Sequence, residues 1–167
     1  TSPPEVYNAS LSWQDLRRFT GSLNIKYEPF KWMSNRLLIG TDYTLEDLNG
    51  YTPYQTDSVI VFFMGSNFDG SRSVTTQQTT YNTYDYSTSI QYQVRPALRS
   101  KTSVGVQYYT NQGTNVAAAG TKFPTPGLST ITATGVKGSP TSNYTANNTL
   151  GFYAQEDLAL NERLFVG

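Results

Sequence analysis

Residues 79–94 read TTYNTYDYSTSIQYQV, and apolar or aromatic side chains alternate with polar ones along most of this stretch. Successive side chains of a β-strand point to opposite faces of the sheet, so a period of two predicts a long strand. One face carries Tyr84, Tyr86, Thr88, Ile90, Tyr92 and Val94, and the other carries Thr83, Asp85, Ser87, Ser89, Gln91 and Gln93. One apolar and one polar face are typical of an antiparallel sheet.

The same alternation recurs on both sides of three short turns, which read EPFKWMSN (28–35), RPALRSK (95–101) and NER (161–163). It predicts about six strands in three hairpins, joined by long loops at about 49–72 and 112–140. Residues 1–16 show no clear period and are predicted to be a loop or linker. Short and long connections therefore alternate along the chain.

Matching the apolar faces of neighbouring strands predicts a register for each hairpin, because cross-strand pairs stabilise a sheet. Tyr86 is expected opposite Tyr108, and Leu158 opposite Leu164. The Tyr43 ring is expected to cover Gly21. Glu156 falls on an apolar face, where it requires a bulge or a position near a membrane interface.

The composition excludes several classes of function. The chain has no cysteine and no histidine, so disulfides, thiolate sites and most nucleophile–base arrangements are absent. Net charge is zero without a basic patch, which argues against a nucleic-acid partner. No apolar run is long enough for a membrane helix, although a membrane β-barrel needs none. We expect no catalytic residue, cofactor or metal site.

Alternating loop lengths and two-faced strands predict an all-β fold, an antiparallel transmembrane β-barrel segment with short periplasmic turns and long extracellular loops. Tyr84 and Tyr92 are eight residues apart, which corresponds to about 20 Å at a tilt of about 40° and approaches the roughly 25 Å apolar band of such barrels. Aromatic girdles border that band. The girdle residues are expected to be Tyr27, Trp32 and Tyr92 on the periplasmic side and Tyr43, Tyr84, Tyr86 and Tyr108 on the outer side.

Two segments resemble the barrels of TonB-dependent outer-membrane receptors, in particular the SusC/RagA-like branch. They are RRFTGSLNIKYEPFKWMSNRLLIGTDYT (17–44) and NYTANNTLGFYAQEDLALNERLFVG (143–167). The resemblance implies a 22-stranded barrel around a plug, import of glycans or peptides, and energy supplied through TonB. It implies no enzyme activity. Six strands cannot close around a plug, so residues 1–167 are expected to be a partial barrel from a longer polypeptide that lies in the bacterial outer membrane.

An apolar run lies inside the first long loop and consists of Val59, Ile60, Val61, Phe62, Phe63 and Met64. An exposed apolar patch often marks an interface. The resemblance implies a SusD-like surface lipoprotein as the partner. The alternative is that the run packs within its own loop layer as a short hairpin.

Polar candidates are weaker. Asp42, Glu46 and Asp47 could bind calcium or substrate, but a solvated barrel rim is the better explanation. Asp85 and Gln91 are expected to face the lumen. Arg95, Arg99 and Lys101 are expected in periplasmic water near lipid headgroups and are not assigned to a site.

Two other classes of protein share the alternating pattern. One is a small complete outer-membrane barrel of the porin type. The other is a secreted β-sandwich that acts as an adhesin or a glycan-binding module. A sandwich is not expected to place tyrosines at both ends of its strands with Val, Ile and Leu between them.

Overall fold

The computed structural model describes residues 9–160 and 164–167, so the predicted turn at 161–163 and residues 1–8 lie outside the described residues. The fold is all-β and antiparallel, as predicted. Its elements are β1 (Leu11–Phe30), β2 (Met33–Thr52), α1 (Ser58–Met64), a 3-10 turn (Gly65–Asn67), β3 (Ser71–Arg95), β4 (Leu98–Thr121), a second 3-10 turn (Ile131–Ala133), β5 (Val136–Lys137), β6 (Thr141–Leu160) and β7 (Leu164–Val166).

One sheet contains all of these strands, in the order β1-β2-β3-β4-β6-β7, with the two-residue β5 paired to β4. The six predicted strands are therefore present and each lies next to its neighbour in the chain. Two-residue turns at 31–32 and 96–97 alternate with long connections at 53–70 and 122–140. Tight turns suit antiparallel neighbours, since the chain only has to reverse direction.

The strands are longer than the alternation indicated. β1 begins at Leu11, inside the segment predicted to be a loop, and β4 continues to Thr121, well inside the second predicted loop. Residues 113–121 contain small side chains and no alternation, so the period-two criterion does not detect them. Backbone pairing with neighbouring strands extends a strand beyond the segment whose side chains show a pattern.

The chain divides into two compact units, and most strands contribute residues to both. Unit 1 consists of 1–18, 44–79 and 113–145, and unit 2 consists of 19–43, 80–112 and 146–167. Unit 1 contains the long connections, α1 and β5. Unit 2 contains the two tight turns and the paired strand segments that flank them.

Unit 1 has a small core around Phe123, which is 2% exposed. The Tyr51 ring packs edge-on against Phe123 at 6.1 Å, and the Tyr51 hydroxyl donates to the Leu128 carbonyl. The backbone N–H of Phe123 donates to the Asp69 carbonyl at 2.8 Å. The second long connection is thus held against the first by one buried ring and by backbone hydrogen bonds.

Unit 2 has no buried hydrophobic side chain among the described residues. Its large apolar side chains are exposed instead on one face of the sheet, which we call the apolar face. By strand alternation this face carries the odd-numbered residues of β1 and β2 and the even-numbered residues of β3, β4 and β6. The opposite, polar face carries the remaining residues. In the described part of the chain, no helix has the length and apolarity needed to cross a membrane.

One predicted register is displaced. Leu158 pairs with Val166, and Leu160 pairs with Leu164, so the predicted pairing of Leu158 with Leu164 is wrong by two residues. A displacement of two residues leaves each side chain on its predicted face. Between β3 and β4 the Tyr108 ring stacks on Tyr84 at 6.2 Å, and the pairing of Tyr86 with Tyr108 stays a prediction.

Candidate functional site

The apolar face of unit 2 is the largest candidate for an interaction surface. Its exposed fractions reach 78% for Phe152 on β6 and 62% for Phe19 on β1. Other exposed members lie on β1, β3, β4 and β6, including Leu23, Ile25, Ile90, Val94, Val104, Leu150, Leu158 and Leu160. A contiguous apolar surface of this extent marks contact with a protein or with a membrane.

A row of hydrogen bonds crosses the apolar face. Thr41 Oγ1 on β2 donates to Asn82 Oδ1 on β3 at 2.9 Å, and Asn82 Nδ2 donates to Thr110 Oγ1 on β4 at 3.3 Å. We call these three residues the polar row. These three side chains lie on the same face as the apolar residues and form hydrogen bonds with one another. The polar row therefore marks where the apolar surface ends on β2, β3 and β4.

Aromatic side chains pair on this surface and at the tight turn beside it. Next to the polar row, Tyr84 and Tyr108 stack with centroids 6.2 Å apart. At the tight turn between β1 and β2, Phe30 and Trp32 stack in parallel at 5.2 Å. The other predicted girdle residues on this face include Tyr27 at 64% exposure, Tyr86 at 44% and Tyr92 at 49%, with Tyr43 half-buried. Their girdle role stays a prediction.

Glu156 lies on the apolar face, where the predicted bulge or interface position stays a prediction. Its two carboxylate oxygens accept hydrogen bonds from the hydroxyls of Ser100 and Thr102 on β4. Ser100 is 1% exposed. The charge is therefore hydrogen-bonded by the neighbouring strand, which lowers the cost of an acidic residue on this face.

Two glycines of unit 2 are covered by aromatic rings, although not as predicted. The Phe19 ring, two residues away on the same strand, lies 3.2 Å from the place where a Cβ at Gly21 would be. The predicted cover by Tyr43 is wrong. On the polar face, the Tyr153 ring of β6 occupies the space beside Gly105 of β4, where an added methyl group would overlap it. An aromatic ring over a strand glycine stabilises the sheet by filling the gap.

The apolar run of the first long connection forms a helix, so the predicted hairpin is wrong. Asp57 caps α1, because its Oδ1 accepts from Val59 N at 2.8 Å and Ile60 N at 3.3 Å. Gly65 ends the helix with φ +57°. Asp57 and Gly65, at the two ends of the run, were the sequence signals for a short helix.

Rings at the surface of α1 are exposed. Phe62 is 79% exposed and Phe63 is 46% exposed, and their rings meet edge-on at 5.3 Å. Val59 is 54% exposed, whereas Ile60, Val61 and Met64 are half-buried. Met64 also lines a cavity of about 400 Å³ within unit 1, together with Asn67, Asp69 and Lys122. One side of the helix therefore faces the rest of unit 1. The other side is apolar, and no described residue covers it.

The acidic residues of β2 are bound to neighbouring strands. Glu46 accepts from Gln14 Nε2. Asp47 pairs with Arg17 at 3.4 Å and accepts from Thr76 Oγ1 at 2.7 Å. Consecutive strand residues point to opposite faces, so Glu46 and Asp47 cannot share one cation. Among the described residues no group of three acidic side chains could hold a metal ion.

The polar face of unit 2 is lined by hydroxyl, amide and charged groups. Ser89 and Ser103 share a hydrogen bond at 2.9 Å between β3 and β4. Asp85 and Gln91 lie on this face by alternation, and Gln91 lines three cavities. Lys101 also lines cavities of this face, a placement that the sequence did not suggest.

Comparison with solved structures identifies the fold. The chain is similar to the RagAB peptide transporter, with a TM-score of 0.83 and 12% identity over 97% of this chain. It is also similar to the RagAB peptide importer in its open-open state (TM-score 0.83, 11% identity) and in its closed-closed state (TM-score 0.81, 12% identity). The chain spans only 17–18% of the length of these neighbours. No protein-family model and no curated protein matches the sequence.

Proposed function

We propose that this chain forms part of the wall and outer loops of a TonB-dependent nutrient importer of the SusC/RagA-like branch in the bacterial outer membrane. One observation carries the proposal: unit 2 is a sheet with an extended, exposed apolar face and no buried hydrophobic side chain among its described residues. A sheet in water would cover such a face with a second layer. A lipid bilayer covers it without one.

The dimensions of the apolar face support a membrane as the covering medium. Asn82 of the polar row and Tyr92 are ten residues apart on β3. Ten residues span about 33 Å along a strand, or about 25 Å across a bilayer at a tilt near 40°. This equals the height of the apolar band of outer-membrane barrels, with the Tyr84–Tyr108 stack near one border and Tyr92 at the other.

The edges of the sheet support a larger assembly. β1 lies at one edge and is 20 residues long. Within a bilayer an open strand edge leaves backbone groups without partners, at a cost of several kcal/mol each. Further strands of the same polypeptide would pair with that edge. In this proposal the polypeptide also contains a plug and a TonB-contacting segment.

The nutrient and the outer partner follow from the structural neighbours and from α1. The neighbours are components of a peptide importer, which favours peptides over glycans as cargo. The exposed rings of Phe62 and Phe63 offer an apolar contact for a SusD-like surface lipoprotein. In this proposal the segment binds and encloses but performs no chemistry.

The rival functions make different use of the two faces. A small porin-type barrel needs the same lipid contact but no plug and no lipoprotein. A secreted β-sandwich needs a protein layer over the apolar face and no lipid contact at all. Fluorescence from single tryptophans distinguishes lipid contact from a protein layer.

The test uses the full natural polypeptide, with Trp13, Trp32 and every other tryptophan of that polypeptide replaced by Phe, reconstituted in vesicles that contain brominated lipids. We expect strong quenching for Val104→Trp on the apolar face. Gln107→Trp on the polar face of the same strand is the matched control and is expected to stay unquenched. Equal fluorescence of the two variants contradicts the membrane proposal and favours the sandwich. Quenching of Val104→Trp in a polypeptide without TonB-dependent uptake leaves the porin type.

A further inference from the structure

A cavity of about 320 Å³ lies at the end of unit 2 that holds the two tight turns. Two cations, two amides and two aromatic rings line it, without a carboxylate. The lining residues are Lys31, Arg99, Gln91, Gln93, Trp32 and Tyr92. We call this cavity the turn pocket. Its lining suits a ligand that is anionic at one point and apolar beside it.

Hydrogen bonds hold both tight turns in place around the turn pocket. The backbone N–H of Gln91 on β3 donates to the carbonyl of Trp32 in the first turn at 2.7 Å. The side-chain amide of Gln93 donates to the carbonyl of Pro96 in the second turn at 3.1 Å. The rings, amides and cations of the lining are therefore carried by a defined backbone.

Positive charge is in excess at this end of unit 2. The two turns and the five nearest residues of β1, β2, β3, β4 and β6 contain six cations and three carboxylates. The cations are Lys26, Lys31, Arg36, Arg95, Arg99 and Lys101, and the carboxylates are Glu28, Glu156 and Asp157. The other described carboxylates of unit 2, Asp42 and Asp85, lie about 30 Å along their strands from this end.

The three nearby carboxylates do not neutralise the turn pocket. Glu28, which shares a neighbouring cavity with Lys31, is 2.7 Å from the ammonium of the lysine on its own strand. Two hydroxyls of β4 hold Glu156. Asp157 lines a different cavity together with Arg99. Lys31 has no ion-pair partner in the part of the chain that the structure describes.

The aromatic part of the lining favours a lipid as the anion. Tyr92 lies on the apolar face, where the exposed side chain of Ile90 continues the surface. Trp32 is half exposed and stacks on Phe30 at 5.2 Å. Rings of this kind lie at the level of the headgroups in membrane proteins. A free phosphate would leave them in water, whereas a phospholipid covers them with its glycerol and acyl chains.

We propose that the turn pocket binds the headgroup of an anionic phospholipid. Lys31 and Arg99 contact its phosphate. Trp32 and Tyr92 contact the glycerol and the first carbons of the acyl chains. The proposal rests on the membrane role proposed above and adds a lipid preference to it, carried by charge complementarity and by the continuity of the pocket with the apolar face.

Trp32 itself reports the occupant. The full natural polypeptide, with every tryptophan except Trp32 replaced by Phe, is reconstituted in phosphatidylcholine vesicles. Phosphatidylglycerol or phosphatidylcholine, brominated near the glycerol end of the acyl chains, is added at increasing mole fraction while quenching of Trp32 is measured. We expect half-maximal quenching at a mole fraction about fivefold lower, or less, for phosphatidylglycerol, as for one or more cations near an anionic headgroup.

Variants locate the preference. Arg99→Gln should lower the ratio of the two mole fractions at least about twofold, and the double variant Lys31→Gln/Arg99→Gln should bring it close to one. Lys101→Gln is the matched control, because Lys101 lies on the same face of the same strand but does not line the pocket. It should change the ratio much less. Lys31→Arg keeps the charge and should keep the ratio.

Four outcomes overturn the proposal. Equal quenching by the two lipids does so and leaves membrane contact intact, as for a pocket filled by protein. Equal effects of Arg99→Gln and Lys101→Gln indicate diffuse charge without a site. Loss of the preference in millimolar inorganic phosphate indicates a free-anion site. The fourth is quenching of Trp32 by neither lipid. If Val104→Trp is quenched in that case, only the headgroup proposal fails, and if it is not, the membrane role fails with it.

Discussion

The two units of this chain place their aromatic residues in opposite ways. In unit 1 Phe123 is buried beneath Tyr51 and loop backbone, as in a soluble protein. In unit 2 the rings of Phe19, Phe152 and Tyr27 are exposed by 62%, 78% and 64%. Under the proposed function, the difference teaches that a single sheet can suit two solvents. Apolar groups of a chain in water need a core, whereas apolar groups in contact with lipid need none.

The largest effect is expected at the core of unit 1. Phe123→Ala should cost about 3–5 kcal/mol, as for a large buried ring whose cavity cannot collapse. Hydrogen exchange of the 113–145 segment should accelerate strongly, including the Phe123 amide bonded to Asp69. Phe62→Ala, at an exposed ring, is the control and should leave the exchange of this segment unchanged. Equal effects of the two variants would refute a core at Phe123.

A charge on the apolar face should have the next largest effect. Val104→Arg should cost about 2–4 kcal/mol in vesicles if residue 104 lies near the bilayer midplane. Gln107→Arg on the polar face should cost much less. Denaturant titration of the full polypeptide in vesicles measures both. A cost for Gln107→Arg that equals that of Val104→Arg would mean that the two faces are not in different media.

A smaller effect is expected where Tyr153 covers Gly105. Gly105→Ala should cost about 1–3 kcal/mol, because the added methyl group displaces a packed ring. Tyr153→Ser should relieve most of this cost, so the double variant should be more stable than the sum of the two single changes predicts. Additive costs in this double-mutant cycle would show that the ring does not pack on the glycine.

The smallest effect is expected at the polar row. Asn82→Ala removes two side-chain hydrogen bonds and should cost about 1–2 kcal/mol. Thr83→Ala, on the opposite face of the same strand, is the control. Denaturant titration in vesicles compares the two variants. A cost for Asn82→Ala no greater than that of the control would argue against a hydrogen-bonded boundary of the apolar face.

Particular elements show how far the pattern of residues could predict the fold. The alternation in 79–94 correctly predicted β3, its two faces and its antiparallel neighbours. The helix α1 was not predicted, because the period of a short apolar run does not separate a strand from a helix, and only the caps Asp57 and Gly65 do. The strand segment 113–121 was missed because its pairing depends on backbone hydrogen bonds, which leave no mark on the order of its side chains.

The candidate surfaces were predicted to a similar extent. The tyrosines proposed for the girdles do lie on the apolar face or beside its ends. The hydroxyls that hold Glu156 and the cavity at Lys101 were not foreseen, since each joins residues from strands that are far apart in sequence. For Lys101 the turn position suggested water, whereas the sheet places it among the cations of β1 and β2.

The sequence by itself determined the strand segments that alternate, which face their side chains take and the tight turns that follow β1 and β3. These properties depend on local alternation and on turn residues. Only the tertiary structure decided the full length of the strands and the register, because sliding a strand by two residues exchanges Leu164 for Val166 opposite Leu158 and leaves both faces intact. It also decided which loop ring, Phe123, is buried and which cations share a cavity, since those contacts join segments that only the folded sheet brings together.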